Sequence, residues 1–74
     1  MTNAEFTAYL QRKLAACRHD IKEGNLPPEE LKAARQAEEY LVTSLQIMNN
    51  HPGQVARRYK RDYLRRLAKA GVPL

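Results

Sequence analysis

The chain has 74 residues, and its 13 basic and eight acidic side chains give it a net charge of +5. A core built from so few residues supplies roughly 3–5 kcal/mol, which predicts a single small domain. The lone cysteine, Cys17, excludes an internal disulfide, and without a secretory signal it predicts a reducing, cytoplasmic location. No run approaches the roughly 20 apolar residues that would span a bilayer.

The positive charge is concentrated in the last third of the chain. Residues 1–51 contain six basic and seven acidic side chains, so their net charge is −1. Residues 52–74 contain seven basic side chains and one acid, Asp62, so their net charge is +6. An excess of one sign in one segment indicates a partner of opposite charge.

The first predicted helix covers residues 4–22. Thr2 and Glu5 fit a capping box, in which each side chain accepts a hydrogen bond from the other's backbone amide. Gly24 suits the left-handed residue that ends a helix. Apolar side chains recur at steps of three and four and predict one buried stripe, which consists of Phe6, Leu10, Leu14, Cys17 and Ile21. On this stripe, Cys17 is expected to be a small buried hydrophobe.

The second predicted helix covers residues 28–49 and begins at Pro28, because proline suits the first helical position. Its polar side chains fall on one narrow face, so its apolar arc is wider than the ~100° of an ordinary surface helix. That width predicts contacts with both other helices or with a second copy of the chain. The predicted partner or dimer interface consists of Tyr40, Leu41, Leu45, Ile47 and Met48. Glu38 falls inside the arc and is expected to pair with a lysine, arginine or tyrosine of a neighbouring helix.

The third predicted helix covers residues 54–70 and follows a break at residues 49–53. Its apolar side consists of Val55, Ala56, Tyr59, Tyr63, Leu67 and Ala70. Its basic side consists of Arg57, Arg58, Arg61, Arg65 and Lys69. Lys60 and Arg66 flank the apolar side, along which their methylene groups can lie. The predicted fold class is all-α: a long antiparallel helical hairpin with a basic third helix packed on it, as a three-helix bundle.

The sequence predicts neither catalysis nor a bound metal or cofactor. Cys17 and His19 point to nearly opposite sides of the first helix and cannot bind one metal together. His51 precedes Pro52 and suits a turn or a helix cap. The chain lacks paired cysteines or histidines at ligand spacing, a glycine-rich phosphate loop and a nucleophile elbow. We therefore expect a binding protein rather than an enzyme.

The basic third helix motivates our first functional hypothesis, a small nucleic-acid-binding accessory or regulatory protein. The predicted site consists of Arg57, Arg58, Lys60, Arg61, Arg65, Arg66 and Lys69. Cations at these steps form a ridge about 18 Å long, and arginine binds phosphate with two parallel hydrogen bonds. A merely solvated face is the simpler interpretation, but such faces usually mix both signs. Contacts with the backbone of DNA or RNA are favoured over base reading, because the second helix is too long for a helix-turn-helix motif.

Other interactions fit the same pattern. Tyr59 and Tyr63 could stack on unpaired bases, although their spacing favours core packing. The chain could instead dock on an acidic protein surface as an inhibitor or adaptor, and a homodimer could cover its wide apolar face. Adsorption on anionic lipid is a weaker interpretation, because the apolar side of the third helix has tyrosines and alanines rather than tryptophan or phenylalanine.

Overall fold

A computed structural model of the chain describes residues 1–51 and 53–72. It contains three α-helices: α1 (Asn3–Glu23), α2 (Pro28–Asn50) and α3 (Gln54–Lys69). Each helix begins and ends within one residue of the limits predicted from the sequence. Within the described residues there is no strand, so the predicted all-α class is confirmed. Pro52, in the predicted break before α3, lies outside the described residues.

Local interactions set the limits of α1. The Thr2 hydroxyl accepts a hydrogen bond from the Glu5 amide at 3.1 Å, and the Glu5 carboxylate accepts one from the Thr2 amide at 3.3 Å. The predicted capping box is therefore present, and its hydrogen bonds lower the pKa of Glu5. At the other end, Gly24 has a φ of 72° and its amide donates to the Ile21 carbonyl. This left-handed conformation ends the helix, as glycine at that position predicts.

The helices α1 and α2 form an antiparallel hairpin, and α3 packs across one half of it. The ring of Tyr63 in α3 lies 5.1 Å from that of Phe6, near the start of α1. It also lies 5.7 Å from the ring of Tyr40, in the second half of α2. The principal extents are 39 × 26 × 16 Å, because the hairpin continues beyond the reach of α3.

The core lies where the three helices meet. Its buried apolar side chains are Phe6, Leu10, Leu14, Leu41, Met48, Ala56 and Tyr63. Toward the turn at residues 24–27 only two helices pack together, so Cys17, Ile21 and Leu31 are half-buried. Cys17 is thus less buried than predicted, and its thiol donates a hydrogen bond across the hairpin to the Ala34 carbonyl at 3.0 Å. Desolvation by this partial burial raises the pKa of the thiol.

The apolar arc of α2 is covered by the chain itself to a greater extent than predicted. Leu41 and Met48, two members of the predicted interface, are each 7% exposed and belong to the core. Leu45 and Ile47 are half-buried, and Tyr40 is 42% exposed. The contacts of α2 with both α1 and α3 are one of the two predicted alternatives, and they leave Leu41 and Met48 little surface for a partner.

Two polar residues of α2 lie at contacts between helices. Glu38 pairs with Arg18 of α1, with 3.2 Å between Oε2 and Nε, which confirms the expected pairing with a neighbouring helix. Ser44 is fully buried, and sequence analysis did not identify it. Its hydroxyl donates to the Tyr40 carbonyl at 2.8 Å, and its oxygen lies 2.6 Å from the Tyr59 hydroxyl.

Candidate nucleic-acid interface

Packing against the hairpin fixes how α3 is rotated about its own axis. Ala56 and Tyr63 are buried and Tyr59, Leu64 and Leu67 are half-buried, so these positions mark the inner side of the helix. Successive residues are about 100° apart around the axis, which places Arg58 and Arg65 at the centre of the outer side. The aromatic contacts of the inner side therefore determine which side chains of α3 face solvent.

Six of the seven predicted site residues are exposed on α3. We call them the basic face: Arg57, Arg58, Arg61, Arg65, Arg66 and Lys69. The seventh, Lys60, is half-buried, and its Nζ donates a hydrogen bond to the Met1 carbonyl at 2.8 Å. Lys60 thus lies on the flank of α3 that faces the start of α1. The other six are exposed, and Lys60 lies at their edge, beside Arg57 and Arg61.

The basic face has no carboxylate partner among the described residues. Among the described side chains, Arg18 forms an ion pair with Glu38, and the His19 ring lies 3.5 Å from the Glu23 carboxylate; both contacts lie on the hairpin. Asp62, the acid of α3, is exposed and takes part in neither. Like charges four residues apart destabilise a helix by about 0.2–0.5 kcal/mol per pair. The basic face contains such steps at 57–61, 61–65 and 65–69, and Asp62, four residues from both Arg58 and Arg66, offsets part of this repulsion.

A shallow depression lies at the start of the basic face. It is lined by Gln54, Val55, Arg57, Arg58, Lys60 and Arg61. Val55 was predicted on the apolar side of α3 but is 54% exposed. The reason is that Val55 lies about 100° around the axis from the buried Ala56, too far to reach the hairpin. Ala70, which follows the end of α3, is exposed as well.

The tyrosines of α3 pack inward, which confirms core packing rather than base stacking for them. Tyr63 is 9% exposed, and burial raises its pKa to about 12. Burial also raises the pKa of Tyr59, while the hydrogen bond with Ser44 and, more weakly, the charge of Arg66 oppose that rise. The exposed aromatic ring beside α3 is that of Tyr40, which stacks on Tyr63 with 20° between the ring planes.

The remaining candidate ligands are dispersed over the hairpin. His19 is exposed and lies 3.5 Å from Glu23, on the opposite side of α1 from Cys17. No three histidine, cysteine, aspartate or glutamate side chains converge in the described part of the chain as they would around a metal ion. None of the three described helices has an apolar stretch long enough to cross a bilayer.

The sequence matches no protein-family model, and no curated protein or solved structure matches it at a significant level. Functional inference therefore depends on the geometry and charge of this chain's own residues, first among them the six cations of the basic face.

Proposed function

We propose that the protein binds the phosphate backbone of DNA or RNA through the basic face, as a non-enzymatic accessory or regulatory factor. The main support is that six exposed cations share one side of a 16-residue helix and have no described carboxylate partner. From Arg57 to Lys69 the helix rises about 18 Å. Duplex DNA has one negative charge per ~1.7 Å of axis, so a ridge of this length can contact several phosphates.

The composition of the basic face is suited to phosphate contacts. Five of its six residues are arginine, whose guanidinium matches the geometry of two phosphate oxygens. The side chains that recognise adenine edges, asparagine and glutamine, are represented on α3 by Gln54 alone, at its first position. Binding should therefore depend strongly on salt and weakly on nucleotide sequence. With about five phosphates neutralised, log affinity for a duplex should fall against log salt with a slope near −4 to −5.

Charge reversal on the basic face tests the proposal. In a triple variant, Arg58→Glu, Arg61→Glu and Arg65→Glu, we expect the anisotropy change of a labelled oligonucleotide to disappear at moderate salt. Circular dichroism should stay that of the wild type, because these side chains face solvent and contribute nothing to the core. If this variant binds as tightly as wild type and with the same salt slope, the basic face is not the binding site.

A second triple variant provides the matched control. Arg12→Glu, Lys32→Glu and Arg35→Glu change the net charge by the same amount, but these exposed residues lie on the hairpin. This control should lose only the affinity that depends on total charge and should keep most of the salt slope. Equal losses in the two triple variants would show attraction by net charge alone and would contradict a localised site.

One observation favours the alternative function, docking on an acidic protein surface. Val55 is 54% exposed beside Arg57 and Arg58, and a protein partner could cover this apolar side chain whereas a phosphate backbone would not. Polyglutamate is a suitable probe of this alternative. Equal affinity for polyglutamate and for an oligonucleotide of the same charge, together with weakening of polyglutamate binding by Val55→Asn, would favour the protein partner.

The predicted homodimer and the predicted cytoplasmic location stay predictions. With Leu41 and Met48 in the core, a dimer through α2 would have to form on Tyr40, Leu45 and Ile47. The mass from light scattering tests this directly. Since the basic face lies on α3, either oligomeric state is compatible with the proposed function.

A further inference from the structure

We infer that the basic face takes single-stranded nucleic acid in preference to a duplex, with one unpaired base stacked on the exposed ring of Tyr40. This inference rests on the proposed function and specifies its substrate class. The observation behind it is a fixed, exposed aromatic ring at the flank of a row of unpaired cations.

The ring of Tyr40 packs against the aromatic core through Tyr63. It stacks on Tyr63 with 5.7 Å between centroids, and Tyr63 in turn meets the edge of the fully buried Phe6 at 5.1 Å. Tyr40 is the most exposed aromatic residue in the described part of the chain, with 42% of the residue's surface accessible. By contrast, Tyr9 is half-buried and has the Lys13 ammonium over its ring at 5.6 Å. The contact with Tyr63 restricts the Tyr40 ring, which lowers the entropy cost of stacking a base on it.

The position of Tyr40 connects this surface to the basic face. The flank of α3 that faces α2 is marked by the hydrogen bond between Tyr59 and Ser44. Arg66 follows Tyr59 by seven residues, which is two turns, so both lie within about 20° on the same flank. Arg66 also lies one turn beyond Tyr63, on which Tyr40 stacks. A base on Tyr40 would thus have its own phosphate beside Arg66, and the strand could continue along the remaining arginines.

The chemistry of stacking selects single strands. In a duplex both faces of every internal base are covered by neighbouring pairs, so an external ring can stack only on an unpaired base. Every base has a π-face, so this contact adds affinity without requiring a particular sequence. Removing one such contact weakens binding by about 5- to 150-fold, by conversion of the typical stacking free energy per base.

The test compares three probes with the wild-type protein and two variants. The probes are a short poly-deoxyadenosine strand, the same strand with abasic sites in its middle, and a duplex of equal length. We expect wild type to bind the intact strand more tightly than either other probe. Tyr40→Leu should weaken binding to the intact strand about 5- to 150-fold and leave the other two nearly unchanged. Tyr40→Phe keeps the ring and should bind as wild type.

The outcomes separate this inference from the proposed function. Equal wild-type affinity for the intact and abasic strands would overturn the stacking role of Tyr40. This comparison uses the wild-type protein alone, so it does not depend on whether a variant folds. A preference for the duplex would overturn that role as well. If one of these two results is found but the charge reversal at Arg58, Arg61 and Arg65 still abolishes binding, the proposed phosphate binding by α3 is retained and only the stacking inference is wrong. If that reversal has no effect on any probe, the proposed function fails first.

Discussion

Ionisation of Tyr63 tests the packing at the junction of the three helices. The side chain is 9% exposed, and burial raises its pKa from 10.0 to about 12. Above pH 10 the unfolded chain releases the phenol proton while the folded chain keeps it. The stability that this group provides is therefore complete below pH 10 and is lost as the pH rises through about 12. Within that window the free energy of unfolding should fall by about 1.4 kcal/mol per pH unit, a loss on the order of 2–3 kcal/mol.

This loss is large for a chain of 74 residues. It is a sizeable fraction of the roughly 3–5 kcal/mol that such a small core supplies, so the midpoint of chemical denaturation should fall measurably between pH 10 and 12. Circular dichroism follows the helices, and the ultraviolet absorbance of phenolate follows ionisation in the same sample. Tyr63→Phe is the matched control, because it keeps the ring contacts with Phe6 and Tyr40 and removes the ionisable hydroxyl. Equal losses of stability in both proteins between pH 10 and 12 would refute the reasoning.

Three further predictions concern stability and are measured by chemical denaturation. Ser44→Ala and Tyr59→Phe should each lower the free energy of unfolding by about 1 kcal/mol. Because both variants remove the same hydrogen bond, the double variant should lose much less than the sum of the two. Strictly additive losses would contradict that hydrogen bond. Phe6→Ala should remove about 3–5 kcal/mol and leave the chain largely unfolded, since the ring is fully buried, so a cooperative transition near that of wild type would argue against the described core. Arg18→Ala should lower stability by less than about 1 kcal/mol, because the pair with Glu38 is 58% and 34% exposed; a loss above about 2 kcal/mol would mean that the pair is shielded from water.

The limits of the helices could be predicted from the sequence because they depend on neighbouring residues. Thr2 with Glu5, Gly24, and Pro28 each act within one turn of the chain, so a linear pattern contains the necessary information. Glu38 shows the limit of prediction from neighbouring residues. Its position predicted a partner on another helix, but that this partner is Arg18 depends on how α1 and α2 align.

The candidate site likewise combines features set by neighbouring residues with features set by the packing of distant helices. The grouping of the α3 cations could be predicted, because helical periodicity alone places them together. The same periodicity placed Lys60 on a flank of α3, but its hydrogen bond to the Met1 carbonyl could not be predicted, since it depends on how α1 and α3 align. The spacing of Ser44, three residues from Leu41 and four from Met48, indicated its burial. Its hydrogen bond to the Tyr40 carbonyl is local to α2, but the second one, with the Tyr59 hydroxyl, depends on the packing of another helix.

Because α3 packs on only one half of the hairpin, the other half is a suitable place to label the protein. The turn at residues 24–27 lies 18 residues beyond Phe6, which is about 27 Å along α1 from the level at which α3 packs. Gly24 and Asn25 in this turn are exposed, and α3 does not reach them. A fluorophore attached there, or a short peptide inserted there, should leave both the ring contacts of Tyr63 and the cations of the basic face undisturbed. The turn is thus a suitable attachment point for immobilising the molecule with α3 directed away from the support.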